Sequence, residues 1–183
     1  MQKLLLLVCC VFMVGCLQID PPYTAEEVDL GITMEPQLAS KWCWAAVAQA
    51  IARWHGEQFT QSEIVTISFG RHCSPETCNG AYNPGKIFAL IGVKETGYAQ
   101  FEDWTEEEFW KHEIEREHPM KVVFTNGSSN HMVVIGGYNA DGFYLYDPST
   151  IGGGKRQVLT YEELQHYAGL RISSVSFISS LLL

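Results

Sequence analysis

The chain has 183 residues, 46% of them hydrophobic and 18% charged, which suits one domain with one core and is too apolar for a disordered chain. Its formal net charge is −9 and no lysine- or arginine-rich run occurs, so nucleic acid and anionic membrane surfaces are excluded as partners by bulk charge.

At the N-terminus, Lys3 precedes an uninterrupted apolar stretch from Leu4 to Val14. The stretch falls short of the roughly 20 apolar residues needed to span a bilayer, and it suits the hydrophobic region of a signal peptide. The string Met13-Val14-Gly15-Cys16 resembles the lipobox of bacterial lipoproteins. That resemblance implies cleavage before Cys16, acylation of its thiol and a membrane anchor facing the periplasm or the cell surface. An ordinary signal peptide cut nearby is the alternative. The expected organisation is a leader at 1–15, a lipidated Cys16 with a tether at 16–35, and one domain at 36–183. Pro21-Pro22 and Glu26-Glu27 fit the tether.

From Ser40 onward the pattern is helical. Trp44, Val47, Ala48, Ile51 and Trp54 recur at three- and four-residue steps, among alanines, and Gly56 supplies a stop. Thr60-x-x-Glu63 is a capping box for a second helix through Ile67. Asn83-Pro84 starts a third, which Gly97 is expected to end. Thr105-x-x-Glu108 opens a fourth, acidic helix closed by Pro119. The period then changes. Val122 to Phe124, Met132 to Ile135 and Phe143 to Tyr146 are short β-prone runs, separated by turn signals at Asn126-Gly127 and Asn139 to Gly142. Gln157 to Leu159 adds a strand, Thr160-x-x-Glu163 caps a short helix, and Arg171 to Ile178 forms a last strand. Helices first and antiparallel strands second predict an α+β domain.

The leader carries Cys9 and Cys10 away, and acylation takes Cys16. Cys43, Cys73 and Cys78 remain, an odd number that flags a reactive thiol in an exported protein. Cys73 and Cys78 flank a short loop-like stretch and can form a small disulfide. A metal site of His72, Cys73 and Cys78 lacks a fourth nearby ligand, so disulfide or free thiols are preferred and no metal is expected. Cys43 stands at a helix start, where unpaired N–H groups and the macrodipole favour negative charge, and the thiolate is the nucleophilic form. Trp42 and Trp44 flank it and are expected to shape a substrate cleft. Of six histidines, His131 alone follows a small polar loop and begins an apolar strand, a place for an imidazole that is both rigid and open. Asp147 closes the next strand, which an Asn139–Gly142 hairpin brings alongside, so it can orient the imidazole.

These residues carry a resemblance. Gln37-x-x-x-x-x-Cys43-Trp44 matches the pattern of papain-like cysteine peptidases, and Gln37 to Ala46 resembles the compact bacterial members, among them a secreted effector protease of plant pathogens and the peptidase domains of bacteriocin-exporting transporters. His131-Met132-Val133-Val134-Ile135-Gly136-Gly137-Tyr138 resembles the family's histidine strand, and the likeness runs from about Gln37 to Pro148. It implies a papain-like fold, with the nucleophile's helix packed on a C-terminal antiparallel sheet. It also implies a catalytic set of Cys43, His131 and Asp147, with Gln37 supplying an oxyanion-hole side chain. No cofactor follows, and the partners implied are a peptide or protein substrate and, through the lipid, a membrane. The interval from cysteine to histidine is shorter than the roughly 130–150 residues of the papain and cathepsin pattern, which marks a minimal domain. The same triad would serve a thiol acyltransferase or a cell-wall peptide amidase, and an inert binding module could retain the fold.

Overall fold

The computed structural model describes residues 27–99, 106–149 and 153–181. The elements run β1 (Val28–Asp29), α1 (Cys43–Trp54), α2 (Gln61–Phe69), α3 (Pro84–Leu90), β2 (Val93–Ala99), α4 (Glu107–Glu115), β3 (Met120–Thr125), β4 (Asn130–Asn139), β5 (Gly142–Tyr146), β6 (Arg156–Leu159), α5 (Tyr161–Gln165) and β7 (Arg171–Leu181). Among the described residues the strands form one antiparallel sheet in the order β2-β7-β3-β4-β5-β6, with β1 added against β4. This is the α+β arrangement expected, with the first helices on one face of the sheet.

Alternation along the strands feeds two cores. Val123, Met132, Val134, Tyr144 and Tyr146 join the α1–α3 side with Ala45, Ile51, Ile64 and Phe88. Val122, Phe124, Val133, Ile135, Phe143 and Leu145 face the other way, against Trp110 and Ile114 of α4 and Leu164 of α5. The sheet is therefore covered on both faces, which explains why its central strands read as continuous apolar runs. Helix α1 is buried from Trp44 to Ala52, and its alanines allow close packing all round rather than on one stripe.

The capping boxes at Thr60 and Thr160 are both formed, each hydroxyl accepting from the amide three residues on. The β4–β5 hairpin is also formed, with the Asn139 side chain accepting from the Asp141 and Gly142 amides. Three expectations need correction. The third helix stops at Leu90, because Gly92 turns the chain at φ +77°, and the stretch from Val93 toward Gly97 assigned to it instead belongs to β2, paired with β7. Helix α4 begins at Glu107 with Glu106 as an N-cap lacking a side-chain bond, and Thr105 lies outside the described residues. The domain also begins before residue 36. Residues 27–35, assigned to the tether, are packed on the sheet, with Ile32 and Met34 buried in the core. The leader and Cys16 lie outside the described residues.

This N-terminal strap is held by polar groups along its length. Tyr144 donates to Glu27, Leu30 N–H donates to Gly136 O at 2.9 Å, and the Trp54 indole N–H donates to Leu30 O at 2.8 Å. Arg156 pairs with Asp29 at 2.7 Å, and Arg53 with Glu35 at 2.6 Å. Where the strap crosses β4, Gly136 and Gly137 leave no room for a side chain. A Cβ on Gly137 would lie 2.5 Å from Val28 O, and one on Gly136 would collide with Ile32.

Gly137→Ala is therefore expected to destabilise the domain by about 1–3 kcal/mol, since backbone rather than a flexible side chain must shift. Urea unfolding measures it, and an unchanged midpoint would show that the strap does not need the close approach.

Candidate active site

Cys43 is the first residue of α1. Trp42 is the N-cap, no side chain caps the helix and no acid stands in its first turn, so the positive end of the helix is left to whatever charge Cys43 carries. The sharp entry into α1 is held from the side by residues 78–80. Asn79 Oδ1 accepts from Lys41 N at 2.9 Å, and its Nδ2 donates to Ser40 Oγ at 2.9 Å. The indole of Trp42 donates to Cys78 O at 2.9 Å and that of Trp44 to Gly80 O at 3.0 Å. Cys73 and Cys78 are joined as a disulfide, closing the loop that makes these bonds, and Cys43 is a half-buried free thiol.

His131 and Asp147 come from neighbouring strands. The β4–β5 register pairs Val134 with Tyr146. One residue further, Asp147 falls beside Val133 and diagonal to His131 on the same face, a spacing long side chains bridge. His131 Nε2 and Asp147 Oδ1 are 2.7 Å apart. The Cys43 side chain lies near the imidazole and favours its charged form. Burial alone would lower the His131 imidazole, but the Asp147 carboxylate bonded to it and the neighbouring Cys43 outweigh burial and push it up to about 9. Burial likewise works against the Asp147 carboxylate, yet His131, the Ser149 amide and Tyr167 together hold it below the usual carboxylate range.

Asp147 is 5% exposed, and both its oxygens accept further bonds: Ser149 N–H donates to Oδ1 and Tyr167 O–H to Oδ2, both at 2.7 Å. Gln157 Nε2 in turn donates to the Tyr167 hydroxyl at 3.1 Å. The Tyr167 hydroxyl is pushed up to about 12, by burial and by the carboxylate it serves, so it remains a donor through the neutral range. Tyr167 reaches Asp147 because its ring packs on Phe124, the cross-strand partner of His131, at 5.4 Å.

Cys43 and His131 line one groove of about 410 Å³, with Trp44 and Tyr82 on one wall and Ser128, Ser129 and Asn130 on the other. The Trp44 and Tyr82 rings lie 5.3 Å apart. Trp42 does not line the groove. Fully buried, it ties α1 to the disulfide loop, so of the two flanking tryptophans only Trp44 stands at the cleft. Gln37 sits just ahead of the α1 entry, its backbone N–H donating to Pro148 O at 2.7 Å, next to Asp147. Its Nε2 donates to Ala39 O at 2.9 Å, which fixes the amide's orientation because a carbonyl can only accept. The second N–H of that nitrogen is not used in this bond.

Sequence reasoning brings Cys43, His131 and Asp147 together as the structure has them. It misses Tyr167 and Gln157, which stand after Asp147 in positions that read as loop and strand. The αL backbone of Ala168 (φ 53°) and Gly169 (φ 71°) follows Tyr167, and the Gly169 of an Ala-Gly pair was the sole local signal of a turn there.

The family described as papain-like cysteine protease AvrRpt2 matches residues 24–165. No curated protein matches the chain by sequence. Among solved structures, the peptidase domain of Streptococcus ComA, a bi-functional ABC transporter of a quorum-sensing pathway, superposes with a TM-score of 0.55 at 13% identity, covering 81% of this chain and 98% of that one. The double-glycine-motif protease of an AMS/PCAT transporter, solved with its leader peptide, gives 0.52 at 15% identity, covering 85% and 99%. The Carica candamarcensis cysteine protease CMS1MS2, solved with E-64, gives 0.54 at 14% identity, covering 86% and 100%. These likenesses establish the papain-like fold, and the match over residues 24–165 places the chain in the family of papain-like cysteine protease AvrRpt2.

Proposed function

We propose that the chain is an exported, lipid-anchored thiol peptidase in which Cys43 is the nucleophile, His131 the acid–base and Asp147 the group that orients His131. The observation that carries the reading is the hydrogen bond from His131 to Asp147, with Cys43 beside His131 on the same groove. In the first step the Cys43 thiol proton passes to His131, the sulfur attacks a peptide carbonyl carbon, and the carbonyl π electrons move to oxygen. The Cys43 backbone N–H and the Gln37 amide stabilise that oxyanion. Collapse of the intermediate breaks the C–N bond, and His131 gives its proton to the departing amine. Water, deprotonated by His131, then attacks the thioester carbonyl, releasing the carboxylic acid and returning the sulfur to Cys43. Asp147 holds the imidazole in one tautomer throughout. An inert binding module would have no use for a buried carboxylate whose oxygens are satisfied by Ser149, Tyr167 and His131 together.

Export is supported by the Leu4–Val14 stretch and by the Cys73–Cys78 disulfide, a bond that oxidising compartments preserve. Anchoring is supported by Gly15-Cys16 after that stretch. Loss of membrane association in Cys16→Ser, with the protein still exported, tests the anchor.

Cys43→Ala is expected to lower hydrolysis of a peptide library by at least about 10⁴-fold. Alkylation of wild-type protein by iodoacetamide should fall on Cys43, with Cys73 and Cys78 spared while oxidised. Peptide mapping reads this, and undiminished hydrolysis by the variant would sink the nucleophile assignment.

A protonated His131 is needed to give its proton to the leaving amine. Because its value stands at about 9, above the ordinary 6.5, kcat/KM should hold through neutrality and fall as pH rises through about 9. Asp147→Asn removes the carboxylate that raises it, so the falling limb should move toward lower pH. A wild-type limb already falling near the ordinary histidine value would contradict the ion-pair arrangement.

A further inference from the structure

Two glutamines are buried outside the catalytic set, Gln61 at 1% exposure and Gln49 at 4%. Gln61 is the first residue of α2, after the Thr60 cap. Its side chain takes hold of the backbone on both sides of Gln37. Oε1 accepts from Leu38 N at 2.9 Å, and Nε2 donates to Pro36 O at 2.9 Å. Nε2 also donates to Gln49 Oε1 at 3.2 Å, from the middle of α1. The amide cannot be reversed, because a backbone N–H only donates and a carbonyl only accepts. All of its partners bind the same way round.

Gln37 thereby has its preceding carbonyl and its following amide held by one rigid side chain, while its own N–H is held by Pro148 O. The chain from 36 to 38 forms no regular element, and nothing in its own sequence would fix its path. The side chain that fixes it is anchored at one end by the α2 capping box and at the other by Gln49, six residues after Cys43 on the nucleophile's own helix. That bridge ties the backbone on both sides of Gln37 to the helix that begins at Cys43.

We propose that Gln61, braced by Gln49, is a positioning residue for the oxyanion hole: it places the Gln37 amide relative to the Cys43 sulfur. The proposal rests on the assignment of Gln37 as oxyanion donor. Pinning a donor by a side chain that reads both neighbouring peptide groups matters because misplacement of about 1 Å can cost on the order of 10²-fold in rate.

The test uses full-length protein and the variants Gln37→Ala, Gln61→Met and the double. Met keeps the length and apolar volume of Gln and removes both polar atoms. Two rates are measured for each: kcat and KM on a fluorogenic peptide that the wild type cleaves, and alkylation of Cys43 by iodoacetamide. Alkylation is displacement at a saturated carbon and forms no oxyanion, so a hole defect leaves it alone while general disruption of the α1 entry slows it. Gln61→Met should lower kcat by roughly 10-fold or more, with KM and alkylation within about twofold of wild type. The double variant should be no slower than Gln37→Ala, since an amide that is gone cannot be misplaced. The proposal is overturned if Gln61→Met keeps the wild-type kcat, if alkylation falls in parallel with hydrolysis, or if the two losses multiply in the double variant. If Gln37→Ala itself hydrolyses normally, the oxyanion assignment falls and the role of Gln61 with it. A slow Gln37→Ala beside a normal Gln61→Met removes only the second.

Discussion

The 2.7 Å bond between His131 and Asp147 is possible only in one strand register. The two residues stand at the adjoining ends of β4 and β5, and a slip of one residue in that hairpin would turn Asp147 to the opposite face of the sheet. The register is held by the Asn139–Gly142 turn at the far end and by apolar side chains that commit both faces of β4 to separate cores. Burial on both sides makes a slip costly, because each apolar side chain would have to exchange cores. The geometry of the candidate site is thus secured by side chains outside it.

The same logic applies to Cys43. It lies at the end of a helix whose body is enclosed, while its first turn borders the groove. The residues just before it have no regular structure and are immobilised from outside, by Gln61 at 36–38 and by residues 78–80 at 40–44. The disulfide closes the second clamp. The N-terminal strap adds a third tie, joining β4, β5 and α1 through short polar bonds before the chain reaches Gln37. Rigidity here is concentrated where an irregular backbone must carry a reactive group.

Electrostatics close the arrangement. Asp147 is almost wholly buried, so its charge is tolerable only because three donors surround it, and the favourable setting for that charge raises the affinity of His131 for its proton. Tyr167 belongs to this balance, although it stands far along the chain after a glycine-rich loop and arrives through ring packing on Phe124.

Much was legible in the sequence. Thr60 and Thr160 with glutamates three residues on, the alanine-rich run after Cys43 and the Asn139–Gly142 turn are local signals, and local chemistry settled those elements without reference to the rest of the fold. Cys43, His131 and Asp147 were readable for the same reason, because each sits at an element boundary that the sequence marks, whereas Gln37 was readable only through the family resemblance. What only the tertiary structure decided depends on groups far apart in the chain. Strand β2 is extended because β7 offers its edge, whereas its own residues read as the tail of a helix. Residues 27–35 are ordered because β4 carries two glycines that admit them. Trp42 is a core residue because Cys78 O lies within reach of its indole, and Gln61 is a clamp because an irregular segment passes through its two-sided amide. Hydrogen bonds between segments of this kind leave no periodicity or spacing in the chain, so the sequence specifies them only by folding.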